Sequence, residues 1–216
     1  MTPSEIIVEA RKLLQDTRVP FRYSDADLLG YLNQAILRVL TMRPDLFTEV
    51  GDLTLVPGTV VQNLPSDGHR LVDLYYVKGG GAVTEVNRVV FERSHPNWAQ
   101  DPAGPPVNYM RHPRNPTTFF VYPQPATNIE VVAEYVAVPT AYALADTITH
   151  PSAGYFSTLV DGVVFLASSI DDEHVNSGRA QLFQQSFMQS LGTDLQSRTV
   201  TDQENMPAAE QDRRRR

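Results

Sequence analysis

The chain has 216 residues, 42% hydrophobic and 20% charged, with no cysteine and a net charge of −7. That length makes one or two domains with a core of their own, and the lack of thiols excludes disulfides and thiolate metal sites. No run of about 18 apolar residues is present to cross a membrane, and Met1-Thr2-Pro3-Ser4-Glu5 lacks the basic and apolar regions of a signal peptide, so cytoplasmic synthesis is the expectation.

The first helix is expected to start at Thr2-Pro3-Ser4-Glu5: Thr2 can cap, Pro3 suits the first helical position and Glu5 closes a capping box. Ile6, Ile7, Ala10, Leu13 and Leu14 follow at helical spacing, and Arg18-Val19-Pro20 is read as the stop. Ser24-Asp25-Ala26-Asp27 caps a second helix with acids at its positive end, and Leu28, Leu29, Leu32, Ala35, Ile36, Val39 and Leu40 form its stripe. Arg43-Pro44 ends it.

From about Asp52 the period becomes that of strands. Leu53–Val56, Val60–Leu64, Arg70–Val77, Val83–Val90, Asn108–Arg111, Thr118–Tyr122 and Ile129–Val138 are the candidates, divided by Pro57-Gly58, Pro65-Ser66-Asp67-Gly68, Gly79-Gly80-Gly81 and further Pro and Asn. Short strands with frequent turns make an antiparallel sandwich or small barrel. Ser94–Pro106, with four prolines and the sole tryptophan, reads as a loop. Trp98 anchors it either to the sheet or to a neighbouring subunit, the core reading being preferred because Trp is mostly buried.

Helical spacing returns after Pro151. Tyr155, Phe156, Leu159, Val160, Val163, Val164, Phe165, Ala167 and Ile170 make a helix apolar on most sides, hence central. Asp171-Asp172-Glu173 breaks it. Ala180, Phe183, Phe187 and Leu191 then mark an amphipathic helix that Gly192 is expected to end. Residues 193–216 are polar and read as an arm that orders only on a partner. The fold class is therefore α+β. Residues 1–48 and 150–192 form a four-helix part from N- and C-terminal helix pairs, residues 49–149 an inserted β sandwich or barrel, and residues 193–216 an extended C-terminal arm.

No chemistry stands out. His69, His95, His112, His150 and His174 show no metal-ligand spacing, and three of them precede proline. Asp171-Asp172-Glu173 lacks the spaced acceptors and Gly turn of a calcium loop. Gly79-Gly80-Gly81 is followed by no Gly-Lys-Ser/Thr, so it reads as a turn, and no Gly-x-Ser-x-Gly elbow exists. No catalytic, cofactor or metal residue is proposed. Two features remain. Arg213, Arg214, Arg215 and Arg216 contribute +4 to the net −7, so residues 1–212 carry −11. Such a body disfavours gripping phosphates, and it either aids solubility or makes a wall past which DNA slides. The arginine run suits contact of a flexible arm with a nucleic acid or an acidic protein, the other reading being a solvated end with no partner.

Several segments, in this order, carry a resemblance. They are Asp27-Leu28-Leu29-Gly30-Tyr31-Leu32-Asn33-Gln34-Ala35 with Arg43-Pro44-Asp45; Leu55-Val56-Pro57-Gly58 and Gln62-Asn63-Leu64-Pro65; and Arg93 to Trp98. After them come Phe119-Phe120-Val121-Tyr122-Pro123 with Glu134-Tyr135, then Asp171-Asp172-Glu173 through Leu191-Gly192. Together they resemble the head-to-tail adaptor (connector) proteins of short-tailed and related bacteriophages, of the tail tubular protein A type. The resemblance implies a structural virion protein without enzymatic activity or cofactor, made in the host cytoplasm. It implies a ring, dodecameric in that family, between the portal protein and the tail nozzle or tube, through whose lumen DNA passes. Nothing in residues 193–216 takes part in it. On this reading Arg213–Arg216 with Phe183 and Phe187 are the portal-contact candidates, and Trp98 and Tyr109 the subunit or nozzle-contact candidates. The alternative is a non-enzymatic β-sheet module binding a carbohydrate or receptor, with Tyr75, Tyr76, Tyr109, Phe119, Phe120 and Tyr122 as a stacking platform. Alternating strand burial explains those rings as well and is the preferred reading.

Overall fold

The computed structural model of the protein describes residues 1–169 and 177–204; on the last helix, side chains are described for 178–192. Among these residues it is a mixed α and β protein with five α-helices and two sheets. The chain divides into two compact units, Met1–Arg43 with Ala141–Arg216, and Pro44–Thr140.

The first unit opens with α1 (Pro3–Leu14), whose capping box is complete: Glu5 N–H donates to Thr2 Oγ1 and Thr2 N–H to Glu5 Oε2. These bonds satisfy donors that the first turn leaves orphaned. The helix stops at Leu14, before the expected Arg18-Val19-Pro20, because Gln15 turns left-handed at φ 59° and closes the end. α2 (Asp25–Met42) repeats the design, with Ser24 and Asp27 as its box and Arg43 as its C-cap. Between them Arg11, nearly buried, bonds Asp16 at 2.6 Å, Asp25 at 2.7 Å and the Tyr23 carbonyl at 2.8 Å, holding the connection.

α4 (Phe156–Ser168) is buried along most of its length and touches α1, α2 and α5 (Ser177–Glu204). Its hydrophobicity all round required that central place. The approach of α5 depends on Gly162, since a Cβ there would lie 2.9 Å from Ala35 Cβ and 3.0 Å from Phe187 Cε2. The stop expected at Gly192 does not occur. α5 continues to Glu204, so residues 193–204 are helical and not part of an extended arm. One interior glycine costs a helix only about 1 kcal/mol, too little to end it.

The second unit holds seven strands: β1 (Thr48–Leu55), β2 (Val61–Asn63), β3 (Gly68–Val77), β4 (Thr84–Glu85), β5 (Asn108–Arg111), β6 (Thr118–Tyr122) and β7 (Ile129–Ala137). One sheet has the order β1-β7-β3, the other β2-β6-β5-β4. Neighbours are antiparallel except β4 and β5, which run parallel, against the expected wholly antiparallel arrangement. Val131, Ala133 and Tyr135 on β7, and Phe119 and Val121 on β6, bury every second residue, as one-faced strands must. They join Leu55, Leu74 and Tyr109 in one apolar cluster fed by both sheets, and neither sheet closes into a barrel. The buried Gln62 amide clamps the β1–β2 turn, accepting from Val56 N–H at 2.7 Å and donating to Val56 and Thr59 carbonyls.

The expected strand Val83–Val90 is corrected in its second half. Residues Arg88–Ser94 form a helix, α3, because Asn87 accepts from Val89 and Val90 N–H and Arg88 pairs with Glu92 at 3.0 Å.

Candidate interaction surfaces

In the first unit, α2, α4 and α5 leave an apolar cavity of about 280 Å³, lined by Arg38, Thr41, Met42, Phe165, Gln184, Phe187 and Met188. The Arg38 guanidinium lies 5.3 Å above the Phe165 ring. Met42 and Met188 are partly exposed at this cavity, while Phe187, 2% exposed, packs inward. Phe183 is half-exposed, with the Arg179 guanidinium 5.8 Å from its ring centre. The two phenylalanines singled out from the sequence thus face different surroundings, and Phe187 offers no ring to a partner in the isolated chain. Arg213–Arg216, Asp171-Asp172-Glu173 and His174 lie outside the described residues.

In the second unit Trp98 and Tyr109 are both buried. Trp98 meets Phe91 and Phe120 edge-on at 6.3 and 6.1 Å, and Phe91 stacks on His95 at 4.8 Å and meets Tyr122 at 4.9 Å. Tyr122 donates to Asp101 at 2.8 Å, so the proline-rich segment is pinned to β6 from both sides of Trp98. Tyr109 donates to Asp73 Oδ1 at 2.7 Å, with Glu85 Oε2 at 3.3 Å. Burial first, then the Asp73 bond, pushes its hydroxyl well above the ordinary tyrosine range, so it remains a donor. Arg111 closes the group on Glu85 at 2.9 Å and on the Val72 carbonyl. Since Tyr109 and Phe119 are fully buried, they present no stacking face.

A smaller pocket of about 170 Å³ lies between β3 and the β5–β6 turn, lined by Arg70, Leu71, Arg111, His112, Asn115, Pro116 and Thr118. The turn is internally tied. His112 Nδ1 accepts from Arg114 and Asn115 N–H, Asn115 Nδ2 donates to Thr118 Oγ1, and Leu71 N–H donates to the Pro116 carbonyl. In the sequence His112 is marked only by the proline that follows it. The recurrence of Arg and His around Pro113 and Pro116 was the available signal, but Arg70 joins from another strand.

The remaining motifs are structural. Gly79, at φ 75°, and Gly80 make the turn after β3, with Gly80 N–H donating to the Val77 carbonyl at 2.7 Å. His95 stacks on Phe91, and the His150 carbonyl receives the Tyr142 hydroxyl. Among the described residues no group of three His, Asp or Glu side chains is placed to hold a metal ion, and no helix is long and apolar enough to cross a membrane.

A family model described as SU10 adaptor protein matches residues 1–213. No curated protein matches the chain.

Proposed function

The chain belongs to the SU10 adaptor protein family, a phage adaptor family, and from that premise we propose that it is a structural component of the virion, joining head to tail. The observation that carries this reading is the extent of the match, residues 1–213, which takes in both units. Copies close into a ring, a dodecamer, through heterologous contacts. The ring sits between the portal protein and the tail nozzle or tube, and DNA leaves through its lumen. The body of the chain, at −11 over residues 1–212, supports passage without adhesion. Arg213–Arg216 meet an acidic portal surface, with the half-exposed Phe183 as an apolar contact. The role involves binding and no chemical step.

The test is a pull-down of the full chain with the portal protein of the same phage. Binding that weakens with salt, and weakens again when Arg213–Arg216 are replaced by serine, is expected. Equal binding by the serine variant removes the arginines from the contact. Failure of the full chain to bind, together with its absence from the head–tail joint in images of the virion, overturns the reading.

A further inference from the structure

We propose that the small pocket between β3 and the β5–β6 turn receives a carboxylate side chain from a second copy of this chain. The inference rests on the ring reading above and names a site for its subunit contact. No acid lines the pocket, and its cations differ in kind. Arg111 is held by Glu85 at 2.9 Å. The exposed Arg70 side chain has no hydrogen-bond or ion-pair partner among the described residues, so it supplies the uncompensated charge. His112 Nδ1 is occupied by two backbone N–H groups, at 3.2 and 2.9 Å, which places the ring proton on Nε2 and makes that atom a donor. The turn is fixed before any ligand arrives, by the Asn115–Thr118 bond at 2.8 Å and the Thr118–Asn63 bond at 2.8 Å. The His112 donor is thus held in place and loses little freedom on binding, while Arg70 is ordered only by its ligand.

Size and charge select the occupant. At about 170 Å³ the pocket is smaller than the roughly 300 Å³ at which small-molecule sites begin, and suits one side chain better than a nucleotide. Arginine favours carboxylate and phosphate alike. Phosphate on a nucleic acid would bring a polyanion against a chain of net charge −7, which repels it. A second copy brings single carboxylates in excess, and the pocket is a cationic spot on an acidic chain.

The full-length chain is compared by sedimentation velocity over a range of concentrations with Arg70→Glu and with Arg93→Glu, a charge-matched exposed control outside the pocket. Thermal unfolding of each checks folding. We expect Arg70→Glu to raise the self-association Kd roughly tenfold or more while Arg93→Glu stays within about twofold. In parallel, Arg70→Lys places an amine at the pocket mouth. Carbodiimide coupling of mixed isotopically labelled and unlabelled copies should join that amine to an Asp or Glu of the other copy, with loss of water. Equal effects of the two Glu variants, or coupling only within one chain, overturn the proposal and leave the ring reading intact. A wild-type chain monomeric at every concentration also overturns it, while portal binding is judged by its own test. Loss of affinity for a short DNA duplex in Arg70→Glu, with assembly unchanged, assigns the pocket to nucleic acid instead.

Discussion

The guanidinium of Arg43, fully buried, donates to the carbonyl of Leu191 at 3.0 Å, tying the last turn of α2 to α5 across 148 positions of sequence. An arginine after a helix and before a proline reads as a stop signal. Its position makes it a cross-brace within the first unit. Arg43→Ala removes the bond and leaves a void, so a loss of about 3 kcal/mol is expected. Chemical denaturation checks it, and a loss below about 1 kcal/mol would show that the brace is dispensable.

Gly162 permits the contact between α4 and Phe187. Its substitution by alanine places a methyl group 3.0 Å from the ring and 2.9 Å from Ala35 Cβ. A helix interior ordinarily gains from Gly→Ala. Here overpacking should reverse the sign and cost about 1–3 kcal/mol. A thermal melt of Gly162→Ala above that of the wild type would refute the close approach.

Hydrogen bonding to the Thr2 backbone holds the Glu5 carboxyl below its usual value of 4.5. A lowered folded value means that the carboxylate stabilises the helix start above the unfolded value and stops doing so as pH falls through the folded one. Protection of the first-turn amides of α1, measured against the intrinsic exchange rate at each pH, should therefore fall on acidification below about pH 4.5. Glu5→Gln can still accept from the Thr2 N–H, and should remove the pH dependence while keeping the cap.

Tyr109→Phe keeps the ring in the core but strips Asp73 of its 2.7 Å donor. A loss of about 1–2 kcal/mol is expected. If Asp73 supplies that cost, Tyr109→Phe should add little in an Asp73→Asn background, where the coupling energy of the double-mutant cycle is read directly.

Local signals carried most of the fold. Thr2, Glu5, Ser24 and Asp27 cap as expected because capping needs only residues three apart. β5 and β6 match their expected bounds because alternation and flanking turns are local too. Val83–Val90 failed because its apolar run suits a strand, and the arbiter was the Asn87 side chain reaching two amides. The parallel pairing of β4 with β5 and the burial of Arg43 arise between distant segments and leave no periodic trace. Of the contact candidates, Phe187 and Trp98 carried an ambiguity intrinsic to large apolar residues: the stripe that suggests a partner is first consumed by the chain's own core. The Arg70–His112 pocket was illegible for the same reason as the β4–β5 pairing, since its walls come from separate strands.

The chain's division has a consequence for its birth on the ribosome. The unit Pro44–Thr140 is contiguous, yet its central strand β7 is the last of the seven made, so β1 and β3 await Ile129–Ala137 before their sheet exists. Ile6, Leu28 and Leu32 wait longer still, until α4 emerges to cover them. The earliest helices to be synthesised are therefore among the latest to be sealed, and a chain stalled before α4 leaves their apolar stripes uncovered at the end farthest from the exit tunnel.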